Sequence, residues 1–229
     1  MLKKFSNILL KIIIGFLLLT SLFAIIFRFL PLPSSSFMIQ KRISNLIAGE
    51  SENINYDWVP YNKISNSIKL AVIAAEDQKF FNHFGFDIES INKAFDENKK
   101  KKRIRGASTI TQQTAKNLFL WSGKSFIRKG IEAYFTFFIE VFWSKERILE
   151  VYLNIAQFGE NDFGVGAASK KYFKKNANQL SYQNAAALAS VLPNPVRFKV
   201  NSPTKYQQGR INWIQKQMYQ LGEHILIDY

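Results

Sequence analysis

Apolar residues are distributed unevenly along the 229-residue chain. Residues 8–30 form an almost unbroken apolar run, interrupted at only a few positions such as Lys11 and Arg28. At about 1.5 Å per residue, a helix of this length can cross a hydrocarbon core of about 30 Å. From about Ile64 onward the chain has the pattern of successive helices, and alternating strand patterns are nearly absent. The pattern predicts one membrane-spanning helix followed by a mainly α-helical domain.

The apolar run has a second interpretation as a cleaved signal peptide. The run is longer than the ~7–15 apolar residues of a signal peptide, and no small-x-small cleavage site follows it. Lys3, Lys4 and Lys11 lie on its N-terminal side, which favours a cytoplasmic N-terminus. Arg28 and Lys41 on the far side weaken this preference slightly. We expect an uncleaved anchor, with the remainder of the chain outside the cytoplasmic membrane.

Three segments follow from this pattern. Residues 1–30 are expected to form the cytoplasmic N-terminus and the transmembrane anchor. Residues 31–60 begin with prolines and serines, which indicate a linker or membrane-proximal segment. Residues 61–229 are expected to form one domain, long enough to bury a core of its own.

Charge narrows the choice of partner only in combination with the anchor. The chain has 31 Lys and Arg against 17 Asp and Glu, a net charge of +14. Such a surface attracts nucleic acid, anionic lipid headgroups or phosphorylated substrates. No nucleic-acid-binding module is recognisable, and the anchor favours the membrane. The absence of cysteine excludes disulfides and thiolate zinc sites.

The first block that carries chemistry is an acidic pair at a predicted helix end. Residues 67–75 form an apolar helical pattern, with Ser65 or Asn66 as the N-cap. Glu76 and Asp77 follow it, where the negative end of the helix dipole raises the pKa of a carboxylate. A raised pKa suits a general base. The alternative is a solvated acidic pair.

The second block runs from Gly106 to Asn117. A glycine turn leads into hydroxyl residues that can cap a helix, and free N–H groups at such a helix start can bind phosphate. At about 100° per residue, one helical face combines hydroxyl, amide and ammonium groups. The residues on this face are Thr109, Gln112, Gln113, Lys116 and Asn117. The alternative is an ordinary amphipathic helix with a solvated polar side.

The third block contains Arg128 and Glu132, four residues apart. This spacing also suits a surface ion pair. Ile131, Phe135 and Ile139 share the same helical stripe, however, which points the charged pair toward a core or a cleft. We expect this stripe to pack in the core, although contact with the bilayer surface is the alternative.

The fourth block begins at Ser144, a plausible N-cap, and continues to Asn154. Lys145 projects to the same side as Leu149 and Tyr152, so that it either reaches into a site or extends along apolar surface to water. A glycine-rich loop follows at residues 158–166, but no strand precedes it, which argues against nucleotide binding.

In this order, the four blocks resemble the motifs of glycosyltransferase family 51, the peptidoglycan glycosyltransferases. They resemble, in turn, E-D-x-x-F-x-x-H-x-G, G-[GA]-S-T-[IL]-[ST]-Q-Q with a later K-N, R-K-x-x-E and K-x-x-I-L-E-x-Y-L-N. Residues 187–195 fit a fifth block, and the resemblance covers roughly residues 64–198 plus the anchor. No serine acylation motif of a transpeptidase is present, so the chain resembles the monofunctional branch. The resemblance implies a mainly α, lysozyme-like fold with a smaller lobe facing the membrane.

The resemblance also implies roles. Glu76 would be the general base that activates the 4-hydroxyl of lipid II against the growing lipid-linked strand, forming a β-1,4 bond with inversion. Glu132 would be a second catalytic carboxylate, whose role the resemblance leaves open. The positions that would bind substrate, mainly its diphosphate, are Thr109, Gln113, Lys116, Arg128 and Lys145.

No cofactor is certain from the sequence. A divalent cation, Mg²⁺ or Mn²⁺, at the diphosphate near Asp77 is left open, although no cluster shows metal-ligand spacing. The expected partners are lipid II, the growing strand and the cytoplasmic membrane, with other cell-wall synthesis proteins as further candidates. Nucleic acid is not among them.

Two alternative functions are a lysozyme-like lytic enzyme and a non-catalytic scaffold of cell-wall synthesis. A hydrolase would also use a glutamate on a helical fold, but it needs neither an anchor nor cations for a diphosphate. A scaffold predicts the loss of Glu76, Lys116, Arg128 or Glu132, and all four are present.

Overall fold

A computed structural model describes residues 2–51, 53–100, 108–123 and 125–226. Within these residues the chain forms ten α-helices and one two-stranded sheet, which confirms the predicted mainly α fold. The helices are α1 (Leu2–Ile26), α2 (Ser36–Ile47), α3 (Asn66–Glu76), α4 (Ile88–Lys100), α5 (Ile110–Phe119), α6 (Phe126–Phe142), α7 (Lys145–Ile155), α8 (Gly164–Phe173), α9 (Tyr182–Val191) and α10 (Lys205–Leu221). The strands are β1 (Asn55–Tyr56) and β2 (Asp162–Phe163).

Hydroxyl side chains set the start of most of these helices. In each case the Ser or Thr oxygen accepts a hydrogen bond from the backbone N–H three residues further on, which satisfies one of the free donors at the helix start. The predicted caps Ser65 and Ser144 are confirmed. The capping residues are Ser35, Ser65, Thr109, Ser125, Ser144, Ser181 and Thr204.

The centre of the domain is α3. Residues Ile68 to Ala74 are all buried, because α9 and α10 pack against this helix. A helix that is apolar on every side can be stable only when neighbours cover all of it. The burial of α3 fixes its last residue, Glu76, relative to the helices around it.

A second layer consists of α5, α6 and α7, with α5 packed against the other two. Phe119 of α5 stacks on Phe135 of α6, with ring centroids 4.2 Å apart. Ile139 and Trp143 are buried near the end of α6, whereas Phe137 and Val141 are exposed. The predicted core packing of α6 is therefore confirmed for one face, and the other face leaves apolar side chains uncovered.

The N-terminal helix α1 contains the stretch Ser6–Ile26, which is long and apolar enough to cross a membrane. Its C-terminal part contacts the domain. The indole N–H of Trp143 donates to the Ala24 carbonyl at 2.8 Å, and the hydroxyls of Thr20 and Tyr134 lie 2.9 Å apart. Arg147 donates to the Phe27 carbonyl at 2.9 Å. The anchor thus ends against α6 and α7.

Residues 31–60 also contact the domain. The Tyr56 hydroxyl donates to the Leu32 carbonyl at 2.5 Å, and β1 pairs in parallel with β2, with Asn55 opposite Asp162. Gln40 of α2 donates to the Leu120 carbonyl at 2.9 Å. Backbone and side-chain hydrogen bonds therefore hold this segment in place next to the anchor.

Residues 99–105 form a basic run, a composition that predicts an exposed loop. Helix α4 continues through Lys100, so the expectation is wrong for its first two residues. Charged residues with good helix propensity extend the helix there. Residues 101–105 and the predicted turn at Gly106 and Ala107 lie outside the described residues.

Candidate active site

The last residue of α3, Glu76, lies at the wall of a cleft. Its carboxylate accepts two hydrogen bonds from neighbouring helices. The Gln113 amide on α5 donates to Oε2 at 2.9 Å, and the Arg210 guanidinium on α10 donates to Oε1 at 3.1 Å. Tyr152 on α7 donates to the Gln113 amide oxygen at 3.1 Å, which fixes the orientation of that amide. Four helices thus position one carboxylate.

Burial raises the pKa of Glu76 above its usual value, because removal from water disfavours the charged form. The hydrogen bond from Gln113 and the charges of Arg210 and Lys116 oppose this shift, while Asp77 adds to it. The sequence-based argument predicted the direction correctly but gave the helix dipole as the cause. A carboxylate with a raised pKa and one hydrogen-bonded cation, Arg210, beside it can both accept and release a proton.

The cleft beside Glu76 contains two adjoining cavities. The larger has a volume of about 870 Å³, and the smaller has about 410 Å³. Ala75, Glu76, Ser108 and Trp213 line both. The other residues around the larger cavity are Gln113, Pro193, Lys205, Tyr206, Gly209 and Arg210. Glu76 therefore lies where two spaces meet, and each is large enough for part of a substrate.

Asp77, next to Glu76, has a structural role at the start of α5. Its Oδ2 accepts the backbone N–H of Ile110 at 3.0 Å, and its Oδ1 lies 3.0 Å from Nε2 of His83. A carboxylate at a helix N-terminus is stabilised by the helix dipole. Asp77 therefore occupies one of the N–H groups that the sequence offered for phosphate at this helix start, and the phosphate site itself stays a prediction.

Thr109 is buried at the same helix start. Its hydroxyl donates to the Gly85 carbonyl at 2.6 Å and accepts from the Gln112 N–H at 3.2 Å. Gly85 has φ +75°, and a Cβ there would come 2.8 Å from Thr136, so this close approach requires glycine. The Thr109 hydroxyl is therefore engaged within the protein, although Thr109 lines the smaller cavity. Gln113, one turn further, lines the larger cavity and contacts Glu76.

A group of charged side chains on α5 and α6 forms what we call the α5–α6 cluster. It consists of Lys116, Arg128, Lys129 and Glu132. Nη1 of Arg128 donates to Glu132 at 2.7 Å, and Lys129 pairs with the same carboxylate. The predicted burial of the Arg128–Glu132 pair is confirmed, as both side chains are largely removed from solvent. Two cations thus contact one carboxylate.

Lys116 makes no ion pair within 4 Å among the described residues. It is partly buried, with its ammonium 5.5 Å from the ring centre of Phe37. Burial lowers the pKa of Lys116, and the nearby charges of Arg128 and Lys129 lower it further, while Glu132 and Glu76 raise it. A desolvated cation without a bound counter-ion is suited to an anionic ligand.

Lys145 lies apart from this cluster. Its ammonium pairs with Glu140 at 2.7 Å and lies 4.7 Å from the ring centre of Phe80. Thr111 donates to the same Glu140 oxygen at 2.6 Å. Lys145 does not line either of the cavities beside Glu76. We call the residues Thr111, Glu140 and Lys145 the α6–α7 cluster.

A resident metal site does not fit the described residues. They contain no group of three His, Asp or Glu side chains that could hold an ion. Asp77, the candidate ligand, is engaged by Ile110 and His83. A divalent cation carried by the diphosphate itself stays a prediction, and no catalytic step below depends on one.

Helix α10 was missed by the sequence analysis, which placed no functional residue beyond residue 198. Arg210 contacts Glu76, and Lys205, Tyr206 and Trp213 line the larger cavity. One signal was available in the sequence. Tyr206 and Trp213 are seven residues apart, which puts two aromatic side chains and the intervening Arg210 on neighbouring parts of one helical face.

Comparisons with known proteins agree with this geometry. A family model described as "Transglycosylase" matches residues 41–219. A protein of Pasteurella multocida (strain Pm70), named "Biosynthetic peptidoglycan transglycosylase", is 52% identical over 225 residues, covering 98% of this chain and 92% of that protein. Proteins with the same name are similar in Haemophilus influenzae (53% identical, covering 88% of this chain and 83% of that protein) and in Pseudomonas putida strain F1 (47%, 97% and 92%).

Proposed function

The chain belongs to the transglycosylase family, and we propose that it polymerises lipid II into the β-1,4-linked glycan strands of peptidoglycan, with release of undecaprenyl diphosphate. One observation carries the proposed mechanism. The largely buried carboxylate of Glu76 lies in a cleft and accepts a hydrogen bond from Gln113 of α5. Three residues further along the same helix, Lys116 makes no ion pair with a described residue. This is the arrangement needed to remove a proton from a hydroxyl while a diphosphate departs.

Glu76 acts as the general base. Its carboxylate accepts the proton of the sugar 4-hydroxyl of the incoming lipid II as that oxygen attacks the anomeric carbon of the growing strand. The new C–O bond forms as the bond from the anomeric carbon to the diphosphate oxygen breaks, and the electron pair leaves with the diphosphate. Attack from the opposite face inverts the α-linkage to β. Gln113 and Arg210 hold the carboxylate in one orientation for this step.

The α5–α6 cluster stabilises the departing diphosphate. Lys116 supplies a desolvated positive charge. Nε of Arg128 donates to the Gly123 carbonyl and Nη1 to Glu132, and no described residue accepts from Nη2. Fixed charges in a site with little water stabilise a developing anion far more than they would in solution. We assign Glu132 to the positioning of Arg128 and Lys129, which it contacts.

The anchor places this chemistry at the membrane. Three members of the cluster, Arg128, Lys129 and Glu132, are on α6, the helix that contacts α1 through Tyr134 and Thr20. A substrate whose lipid stays in the bilayer can then present its diphosphate to Lys116. We propose that the N-terminus is cytoplasmic and that the domain lies on the periplasmic or extracellular side, in agreement with the lysines before the span. A reporter fused after Tyr229 should be active only outside the cytoplasm, and cytoplasmic activity would refute this topology.

The activity is tested with purified, detergent-solubilised full-length protein and labelled lipid II. We expect polymer that lysozyme digests, and no release of fragments from preformed glycan strands. Absence of polymer would contradict the proposed function, and release of fragments would favour a lytic enzyme.

The role of Glu76 is tested by Glu76→Gln. Loss of a general base lowers the rate by about 10²–10⁴-fold. Because the folded state disfavours ionised Glu76, its neutral replacement should not lower the thermal stability at neutral pH. Glu160→Gln is the matched control, since Glu160 is mostly exposed and only loosely paired with Lys41 at 3.7 Å. Substantial turnover by folded Glu76→Gln would mean that the base lies elsewhere.

A further inference from the structure

One face of α10 lines the larger cavity beside Glu76. Tyr206, Gly209, Arg210 and Trp213 follow one another at the three- and four-residue spacing of a single helical face, and all line the cavity. The opposite face of α10 packs in the core through Gln207, Ile211, Ile214 and Met218. We call the residues Tyr206, Gly209 and Trp213 the α10 wall.

Gly209 has no structural reason to be glycine. It lies in the interior of a 17-residue helix, where glycine costs roughly 1 kcal/mol relative to alanine. Outside the backbone of its own helix, a Cβ added to it would meet no atom of the described residues within 4 Å, and its φ is not positive. The missing side chain therefore leaves this part of the cavity open.

The two aromatic side chains of the α10 wall flank this space. Tyr206 is 63% exposed and Trp213 is 44% exposed, although large aromatic residues gain most when they are buried. Each also lines a further cavity. Tyr206 borders one of about 320 Å³ together with Phe198, and Trp213 borders the one of about 410 Å³. The cleft therefore continues past both rings, as an elongated ligand requires.

The chemistry of the wall suits a carbohydrate. The negative face of an aromatic ring attracts the weakly positive C–H groups on the flat side of a pyranose, while hydroxyl and amide groups of the sugar need polar partners. Gln113, Ser108 and Arg210 provide such partners around the same cavity.

We propose that the α10 wall binds a pyranose ring of the glycan substrate, with the ring over Gly209 and between Tyr206 and Trp213. Bound in this way, the sugar chain lies along α10 while its reacting end is beside Glu76. The adjoining cavity at Phe198 takes the next part of the chain. This inference rests on the proposed function for the identity of the sugar, and it adds residues for which no role has been assigned above.

The first test is Gly209→Leu, which fills the space over the wall. We expect the KM for lipid II to rise, or the apparent affinity for the growing strand to fall, by about tenfold or more. Tenfold is equivalent to about 1.4 kcal/mol. Thermal stability should hold or rise, because leucine has the higher helix propensity. Gln208→Leu is the matched control on the same helix, since Gln208 is exposed and does not line the cavity. Gly209→Ala is the milder variant if leucine disturbs folding, and it should show a smaller loss of affinity with a raised Tm.

The second test needs no polymerisation. A soluble glycan tetrasaccharide, without lipid or diphosphate, is titrated calorimetrically into the full-length protein in detergent. We expect binding to the wild type and to Gln208→Leu, weaker binding to Gly209→Leu and to Trp213→Leu, and partial recovery in Trp213→Phe.

The outcomes separate this inference from the proposed function. Polymerisation by the wild type, with unchanged KM and tetrasaccharide binding in Gly209→Leu, would overturn the α10 wall and leave the function standing. Tetrasaccharide binding that depends on Gly209 and Trp213, in a protein that does not polymerise lipid II, would support the wall and contradict the function.

Discussion

The two charged clusters, α5–α6 and α6–α7, both contain residues of the family motifs. They differ in how far positive charge is matched by negative charge. In the α5–α6 cluster, Arg128 and the exposed Lys129 pair with the single carboxylate of Glu132, and Lys116 makes no ion pair with a described residue. The α6–α7 cluster pairs Lys145 with Glu140, and Thr111 donates to the same carboxylate. Buried charges are costly unless they are paired. Among the described residues of the first cluster, the partly buried Lys116 makes no ion pair, so we infer an anion site there, whereas Glu140 already balances Lys145.

The position of each lysine agrees with this difference. Lys116 is desolvated, and it is near enough to Glu76 for the Glu76 charge to raise the pKa of Lys116. Lys145 lies behind the start of α5, where Glu140 also approaches Gly85. Loss of Lys116 should therefore affect chemistry, and loss of Lys145 should affect stability.

The largest effect is expected for Lys116→Met, which keeps an apolar side chain of similar length and removes the charge. Removal of one fixed group that stabilises a developing anion lowers kcat by about 10²–10³-fold. The folded state disfavours the charged form of Lys116, so thermal stability at neutral pH should hold or rise. Steady-state kinetics at saturating lipid II and a thermal melt measure both. A melt lowered as much as that of Lys145→Met would show that Lys116 is structural.

The matched change in the balanced cluster, Lys145→Met, should have the opposite result. It leaves the buried Glu140 without its cation, and we expect a loss of about 3 kcal/mol in unfolding free energy, at the low end for a broken buried pair because Thr111 still donates. Below the melting temperature, kcat should stay within a few-fold of the wild type. Glu140→Gln in the same protein should restore part of the stability. A large loss of kcat without loss of stability would place Lys145 at the substrate, as the family resemblance implies.

The sequence predicted the helices and the burial of the Arg128–Glu132 pair, because local signals determine both. Ser65 and Ser144 cap helices by contacts within three residues, and the stripe shared by Arg128 and Ile139 follows from helical spacing. The spacing of Tyr206 and Trp213 is visible in the sequence, but the position of α10 beside Glu76 could not be predicted in this way. The contact between Arg210 and Glu76 joins residues 134 positions apart, and no pattern along the chain specifies it.

The start of α5 shows a different limit. Its hydroxyl and amide residues suggested free N–H groups for phosphate, but the structure brings Asp77 to the N–H of Ile110. The sequence shows which groups a helix start offers, and only the fold shows which of them the protein itself already uses.

The smallest effect is expected for Arg210→Gln. Arg210 lies on the same face of α10 as the α10 wall and contacts the proposed base, Glu76. The Arg210 charge lowers the pKa of Glu76 against the stronger effect of burial, so its removal should raise that pKa further. A general base must be ionised, and the acid limb of the pH profile of kcat/KM should therefore move to higher pH. The rate should be reduced most at low pH and should approach the wild-type rate at high pH. Lys216→Gln removes one positive charge from an exposed position of the same helix and should leave the profile unchanged. An equal loss of rate at every pH would instead show that Arg210 contacts the substrate and has no influence on the proton affinity of Glu76.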